Sequence, residues 1–162
     1  MHSYTAAVAW SGSTRVGYDS YDRRHAGVSQ AGFSVPLSAD AAFLGDPACL
    51  NPEELLVLAA ASCQLLSFLA VAARARIDVI DYRDEGSGVM PEDALTQITL
   101  RPQITVASYD DRPVDQARVR HLCQVAHREC YVASSLRTAI LVEPTVTICP
   151  GIGPQVDHLN PE

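Results

Sequence analysis

One long apolar segment constrains the fold of this chain more than any other feature. The run from Asn51 to Arg76 reads NPEELLVLAAASCQLLSFLAVAARAR. Asn51 suits the N-cap of a helix, Pro52 suits its first turn, and Glu54 stands where a capping box needs a carboxylate. Because the segment is apolar on every face, we predict a helix that lies inside a protein core or a membrane.

The same segment is long enough to cross a lipid bilayer. Its middle, however, is the small and partly polar stretch AAASCQ at 59–64, and the rest of the chain alternates in the manner of a soluble domain. We therefore interpret the segment as a central helix whose small residues let another helix approach closely. This interpretation places Cys63 deep in the molecule.

Composition narrows the classes of protein that fit. A chain of 162 residues with 48% hydrophobic content suits one domain, predicted over 1–150 with a C-terminal tail over 151–162. The net charge of −7 and the lack of a long Lys/Arg cluster argue against nucleic acid and against an anionic membrane as partners.

The N-terminal residues and the number of cysteines indicate the cellular compartment. The first ten residues, MHSYTAAVAW, do not have the layout of a signal peptide, so we do not expect secretion. Five cysteines, an odd number, fit a reducing cytoplasm in which thiols are free to react. They are Cys49, Cys63, Cys123, Cys130 and Cys149.

Alternation and turn residues predict the other elements. The predicted strands are 4–10, 15–21, 33–37, 77–89, 98–106 and 145–149, and the further predicted helices are 114–129 and 133–140. Pro102 interrupts the fifth strand, which suggests a bulge or an edge. The second helix carries one apolar face made by Val119, Leu122, Cys123, Ala126 and Cys130. The order of elements indicates an α+β fold with a mostly antiparallel sheet.

Cys63 and Cys130 stand out among the thiols, and three interpretations remain open from the residues alone. In the first interpretation, both cysteines are ordinary small core residues, since free cysteine is often fully buried. In the second, Cys123, His127 and Cys130 share a helix face at i, i+4 and i+7 and bind a metal such as zinc. In the third, the thiols are redox catalysts.

Redox catalysis by a thiol in apolar surroundings needs a nearby cation, because burial alone raises the thiol pKa and makes it inert. Arg23 and Arg24 are the candidates, and alternation along a strand lets only one of them point into a site. An arginine in such a place needs a carboxylate to hold it, and Glu53 or Glu54 could serve.

Two signatures, far apart in the chain, resemble the OsmC/Ohr family of osmotically induced and organic hydroperoxide resistance proteins. The first is NPEELL at 51–56 followed by AASC at 60–63, and the second is AHRECYVASSL at 126–136. The stretch SADAAFLGDP at 38–47, together with a YxRxH pattern that starts at Tyr21, is similar to the OsmC-like branch of that family.

The resemblance covers nearly the whole chain and implies an OsmC-like α+β fold. In that fold mostly antiparallel sheets pack around a long central helix, and two chains form an intertwined homodimer. It also implies a cytoplasmic, thiol-dependent peroxidase that reduces organic hydroperoxides, needs no metal or other cofactor, and is regenerated by an external dithiol.

The resemblance also assigns roles to residues. Cys63 matches the peroxidatic cysteine of the family and Cys130 its resolving cysteine. Glu53 matches the glutamate that orients an arginine, and Arg23 is the best match for that arginine, with Arg15 and Arg24 as alternatives. The alternatives from other classes are a non-catalytic carrier of an apolar ligand on the same fold and a Cys/His metal-binding protein.

The geometry of a helix also predicts a homodimer. Glu53 and Cys63 are ten residues apart, so about 15 Å separates them along a straight helix. Two copies of the helix packed antiparallel about a two-fold axis near Leu58 would bring Glu53 of one chain beside Cys63 of the other. We therefore expect a homodimer with composite sites.

One residue departs from the pattern of the OsmC-like branch. Many members carry histidine directly after the first cysteine, whereas this chain has Gln64. Glutamine does not titrate and cannot act as a base. We interpret Gln64 as a core residue that makes a local hydrogen bond.

Overall fold

The computed structural model describes residues 1–92 and 94–151. Their contacts divide the chain into two compact units, Met1–Leu56 and Val57–Glu162, with the boundary inside the long helix. The single domain expected over 1–150 stays a prediction. Of the tail expected from residue 151, everything after Gly151 lies outside the described residues.

The N-terminal unit is built on a three-stranded antiparallel meander. Its strands are β1 (Ala6–Ala9), β2 (His25–Ser29) and β3 (Ser34–Leu37), in the order β1-β2-β3. The structure confirms the strands predicted over 4–10 and 33–37, which are β1 and β3. The strand predicted over 15–21 is wrong, because these residues form a 3₁₀ turn, Thr14–Val16, and then a loop in which Gly17 takes a left-handed φ of 91°.

The long helix, α1 (Pro52–Arg74), begins with the predicted capping box. The Glu54 N–H donates to Asn51 Oδ1 at 2.8 Å, and the Asn51 N–H donates to Glu54 Oε2 at 3.0 Å. The helix ends two residues before the predicted end, because Arg76 turns to a φ of 58° and the Ile77 N–H closes back on the Ala72 carbonyl.

The C-terminal unit contains two three-stranded sheets and two more helices. The strands are β4 (Asp78–Asp84), β5 (Ser87–Val89), β6 (Gln97–Leu100), β7 (Pro102–Ser108), β8 (Ala139–Val142) and β9 (Thr145–Pro150). The helices are α2 (Gln116–Glu129) and α3 (Tyr131–Ser135). The sheet orders are β4-β7-β9 and β5-β6-β8. In this unit β4–β7 and β5–β6 are antiparallel, whereas β6–β8 and β7–β9 pair in parallel, so its sheets are mixed. Antiparallel pairs predominate as predicted only when the two pairs of the N-terminal meander are included.

Three predicted elements of this unit need correction. The strand expected over 77–89 is two strands in different sheets. The strand expected over 98–106 is also two, because Pro102 begins β7 and the Arg101 N–H instead donates to the Asp84 side chain at 2.7 Å. The helix expected over 133–140 is wrong beyond Ser135, since its last part belongs to β8 and pairs with β6.

The core of the C-terminal unit lies between α1, α2 and the β4-β7-β9 sheet. Its buried members are Phe68, Val71, Ala72, Ile77, Ile104, Val106, Val119, Cys123, Ala126 and Val146. The predicted apolar face of α2 is confirmed, because Val119, Cys123 and Ala126 are all buried there.

The helix α1 is only partly covered by its own chain. Leu58, Leu66 and Leu69 are 56%, 63% and 39% exposed, which is unusual for such large apolar side chains on one helix. By length and composition alone α1 could cross a membrane, and it is the one helix of the described residues that meets this criterion. Among the described residues this face of α1 is therefore left open.

Candidate functional site

Cys63 and Cys130 meet in the C-terminal unit. Cys63 is half-buried on α1, whereas Cys130, between α2 and α3, is only 1% exposed, and both are free thiols. Burial first, and then a hydrogen bond between its side chain and that of Cys63, together raise the pKa of Cys130 to about 11. Two thiols distant in the sequence are therefore in direct contact, and the buried one stays protonated at neutral pH.

The backbone holds Cys130 at the corner between two helices. Its N–H donates to the His127 carbonyl at the end of α2, and its Sγ accepts from the Ala133 N–H at 3.4 Å as the N-cap of α3. The Ser134 hydroxyl donates to the Cys130 carbonyl at 3.0 Å. The thiol therefore has a fixed direction, set by the short helix that follows it.

Cys63 faces a groove of about 780 Å³ between α1 and the α2–α3 corner. Apolar side chains line most of it, among them Ala59, Leu66, Ala70 and Val132. At one end Arg74 and Glu129 form an ion pair at 2.5 Å. Cys130 is not among the lining residues, so a molecule in the groove meets Cys63 first. The expectation that Cys63 lies deep in the molecule is therefore wrong, because its side of α1 is open in a single chain.

Arg23 lies in the N-terminal unit and is held by two tyrosines. Its guanidinium donates to the Tyr21 carbonyl at 3.0 Å and to the Tyr18 carbonyl at 2.7 Å. Its Cζ atom lies 4.1 Å from the centre of the Tyr21 ring and 4.7 Å from that of Tyr18. Cation–π contacts of this kind hold a guanidinium without neutralising its charge.

Arg23 and Glu53 line the same cavity of about 440 Å³, within the N-terminal unit. Trp10, His25 and Phe43 are also part of its wall, and His25 Nδ1 lies 2.9 Å from the Arg23 carbonyl oxygen. Among the ion pairs of the described chain none joins Arg23 to Glu53, since the guanidinium is occupied by carbonyls. The structure brings these two residues to one cavity without the direct pair that we expected.

The alternative arginines are placed differently. Arg24 is exposed and binds Asp22 through its Nε and Nη2 atoms, and this hydrogen bonding lowers the pKa of the Asp22 carboxyl. Arg15 belongs to the 3₁₀ turn, and neither Arg15 nor Arg24 lines the cavity that holds Glu53. Of the three arginines, Arg23 is the one that shares a cavity with the candidate glutamate.

The structure does not support the metal interpretation of the second helix. Cys123 is fully buried and accepts a hydrogen bond from Gln64, and Cys130 turns to Cys63 instead. Within 1–92 and 94–151 no three His, Cys, Asp or Glu side chains stand close enough to share an ion.

Two features of the site escaped the sequence analysis. The first is the pair of tyrosines around Arg23, for which the spacing Tyr18, Tyr21 and Arg23 is the only sequence signal. The second is the partner of Gln64. The core hydrogen bond expected there is present, but its acceptor is Cys123, which is distant in the chain rather than local.

Because the pKa of Cys130 is raised, we predict that its thiol reacts slowly with alkylating reagents at neutral pH. With a pKa of about 11 instead of 9.0, the thiolate fraction at pH 7 falls by about a hundredfold. We expect alkylation of Cys130 by iodoacetamide to be very slow at pH 7 and to rise about tenfold per pH unit towards pH 10. Peptide mass spectrometry measures this, with half-buried Cys49 as the internal reference. Equal labelling of Cys130 and Cys49 at pH 7 would contradict the burial effect.

Comparison with known proteins adds the family. The family model described as OsmC-like protein matches residues 45–145. A solved OsmC-like protein of unknown function from Vibrio cholerae is 26% identical with a TM-score of 0.81, over 90% of this chain and 100% of that one. No curated protein matches.

Two solved organic hydroperoxide resistance proteins share the fold at lower identity. The protein from Legionella pneumophila is 17% identical with a TM-score of 0.63, over 91% of this chain and 98% of that one. The protein from Elizabethkingia anophelis is 16% identical with a TM-score of 0.64, over 92% and 98%. These matches confirm the predicted α+β fold.

Proposed function

Because this chain belongs to the OsmC-like protein family, as its residues predict, we propose that it is a thiol-dependent peroxidase that reduces organic hydroperoxides. The observation that carries the proposal is the contact between Cys63, which faces an apolar groove, and Cys130, which lies buried behind it. The organic hydroperoxide resistance proteins of the same fold support the same reaction class.

In the first step the Cys63 thiolate attacks the terminal oxygen of the hydroperoxide. The O–O bond breaks, an S–O bond forms, and the alkoxide leaves with a proton as the alcohol. The sulfur of Cys63 is oxidised to a sulfenic acid. The apolar side chains of the groove favour an alkyl hydroperoxide over hydrogen peroxide, since they replace water around the alkyl group.

In the second step Cys130 condenses with the sulfenic acid. An S–S bond forms, and the hydroxyl of the sulfenic acid leaves with the Cys130 proton as water. The two side chains are already in contact in the reduced protein, so little movement is needed. An external dithiol then reduces the disulfide by thiol exchange and restores both thiols.

The active form is a homodimer in this proposal. The exposed leucines of α1 need a cover, and a second α1 packed antiparallel across them provides one. By the helix spacing given above, such packing brings Glu53 of the partner subunit towards Cys63. Arg23, from the same unit as Glu53, then supplies the positive charge that favours the thiolate. Glu53 lines the same cavity as Arg23, and in the proposed dimer it takes the guanidinium from the carbonyls that hold it in the single chain.

We infer a cytoplasmic location from the free thiols. All five cysteines are unpaired in the structure, and a peroxidase that relies on a dithiol reductant needs a compartment that keeps thiols reduced.

Steady-state turnover tests the proposal. Protein with dithiothreitol is expected to consume cumene hydroperoxide with a kcat/KM about tenfold or more above that for hydrogen peroxide, because of the apolar groove. The control variant Cys49→Ser, in the loop before α1, is expected to retain this activity. Absence of consumption, combined with tight binding of an apolar probe, would identify a carrier instead.

The Cys130→Ser variant separates the two steps. It is expected to react with one equivalent of hydroperoxide at nearly the wild-type rate, because Cys63 and the groove are unchanged. The sulfenic acid should then persist, since no resolving thiol remains. Trapping with dimedone followed by mass spectrometry measures the product on Cys63. A variant that still forms an intramolecular disulfide at the wild-type rate would rule out Cys130 as the resolving thiol.

A further inference from the structure

Gln64 is a fully buried amide directly after Cys63 on α1. Its Nε2 donates to the Cys123 carbonyl at 3.2 Å and approaches Cys123 Sγ at 3.5 Å. Its Oε1 is buried and has no hydrogen-bond partner among the described residues. An amide that is only half satisfied is an unfavourable choice for a core position, so stability alone does not account for glutamine here.

The bond made by Gln64 joins the two helices that carry the reactive thiols. Cys123 lies on α2 seven residues before Cys130, which caps the end of that helix. Gln64 follows Cys63 by one residue on α1. The side chain of Gln64, the residue after Cys63, is therefore hydrogen-bonded to the backbone of α2, the helix that ends just before Cys130.

The other contacts between α1 and α2 do not fix the two helices in the same way. Phe68 and Val71 belong to the same apolar core as Val119 and Ala126, and apolar packing has no preferred direction. Arg74 pairs with Glu129 at the surface, and Arg118 donates to the Ala75 carbonyl at 3.2 Å, also at the surface. Exposed contacts of this kind restrain helices weakly. Gln64 makes the buried, directional bond.

We infer that Gln64 is a positioning residue that holds Cys130 within reach of the oxidised Cys63. The inference rests on the proposed peroxidase cycle and concerns its second step, the formation of the disulfide. Condensation within one molecule depends steeply on the alignment of the two sulfurs, and a misplacement of about 1 Å can cost about a hundredfold in rate. The first step needs only Cys63 and the groove, so Gln64 should not affect it.

The variant Gln64→Met tests this role, because methionine has a similar volume and no amide donor. We expect disulfide formation to slow by about tenfold, while the hydroperoxide reacts with Cys63 at a rate within about twofold of wild type. Rapid quenching with a thiol-alkylating reagent gives both rates, and dimedone gives the lifetime of the sulfenic acid. The variant Gln64→Leu serves the same test should the methionine variant fail to fold.

A matched control separates positioning from general loosening of the core. Val71→Ala removes buried volume from the same helix face and leaves the Gln64 bond in place. It is expected to lower stability without slowing disulfide formation by more than about twofold. If Val71→Ala slows this step as much as Gln64→Met does, packing rather than the amide positions Cys130, and the inference is wrong.

A second readout keeps this test independent of peroxidase activity. In a Cys49→Ser, Cys149→Ser background, Ellman's reagent forms a mixed disulfide with Cys63, and Cys130 then displaces the second nitrothiobenzoate to form the intramolecular disulfide. We expect Gln64→Met to slow this second release by about tenfold as well. An unchanged second release overturns the inference about Gln64. If the wild-type protein does not reduce the hydroperoxide, but Gln64→Met still slows the second release relative to wild type, the proposed function alone is overturned.

Discussion

Replacing Cys63 by serine is expected to abolish the reduction of organic hydroperoxides, with a loss of at least about a thousandfold in kcat/KM. The serine hydroxyl does not ionise near neutral pH, and only a thiolate is nucleophilic enough to break the O–O bond under these conditions. The fold should be unaffected, because Cys63 is half-buried at the edge of the groove and serine is of similar size.

The loss in Cys63→Ser is measured as consumption of cumene hydroperoxide in the presence of a dithiol. Cys149→Ser is the matched control, since Cys149 is also a half-buried thiol but lies on β9. The control is expected to keep full activity. Residual activity above about a tenth of wild type in Cys63→Ser would mean that another group attacks the peroxide.

The variant Leu58→Glu is expected to produce a monomer at micromolar concentration and to lower turnover by about a hundredfold. Leu58 is 56% exposed on α1 and lies near the two-fold axis of the proposed dimer. A two-fold axis places the two new carboxylates opposite each other in an apolar interface, where like charges are strongly unfavourable. Turnover falls because each Cys63 loses the arginine and glutamate that its partner supplies.

Sedimentation velocity measures the assembly of Leu58→Glu, and the same protein is used for turnover. Leu58→Met keeps the apolar face and is expected to remain dimeric and active. A monomeric Leu58→Glu with wild-type turnover would show that Arg23 and Glu53 act within their own chain or not at all. A dimeric Leu58→Glu would place the two-fold axis elsewhere.

The elements that could be predicted from the sequence are those specified by neighbouring residues. The start of α1 is fixed by the reciprocal bonds of Asn51 and Glu54, and these lie three residues apart. The buried face of α2 follows from helical spacing alone. Both depend on periodicity and capping, which are local properties of the chain.

The elements that could not be predicted depend on partners far away in the chain. The run AILV at 139–142 is too short and apolar to distinguish a strand from a buried helix, and its pairing with β6 in parallel decides the matter. The division of 77–89 likewise depends on β4 and β5 pairing with different strands.

The candidate site could likewise be predicted only in part from the sequence. The resemblance identified Cys63 and Cys130 as a pair, and the structure adds their contact, the burial of Cys130 and the groove beside Cys63. The stacking of Arg23 on Tyr18 and Tyr21 was not predictable, because the direction of a long side chain in a loop is set by tertiary packing.

The most direct test of the Cys63–Cys130 redox couple is to treat fully reduced protein with one equivalent of cumene hydroperoxide per chain. Free thiols are then blocked under denaturing conditions, and the disulfide-linked peptides are identified by mass spectrometry. We predict the loss of two of the five thiols and a single linkage between Cys63 and Cys130 within one chain. Retention of all five thiols, or a disulfide that joins other cysteines, would contradict the proposed cycle.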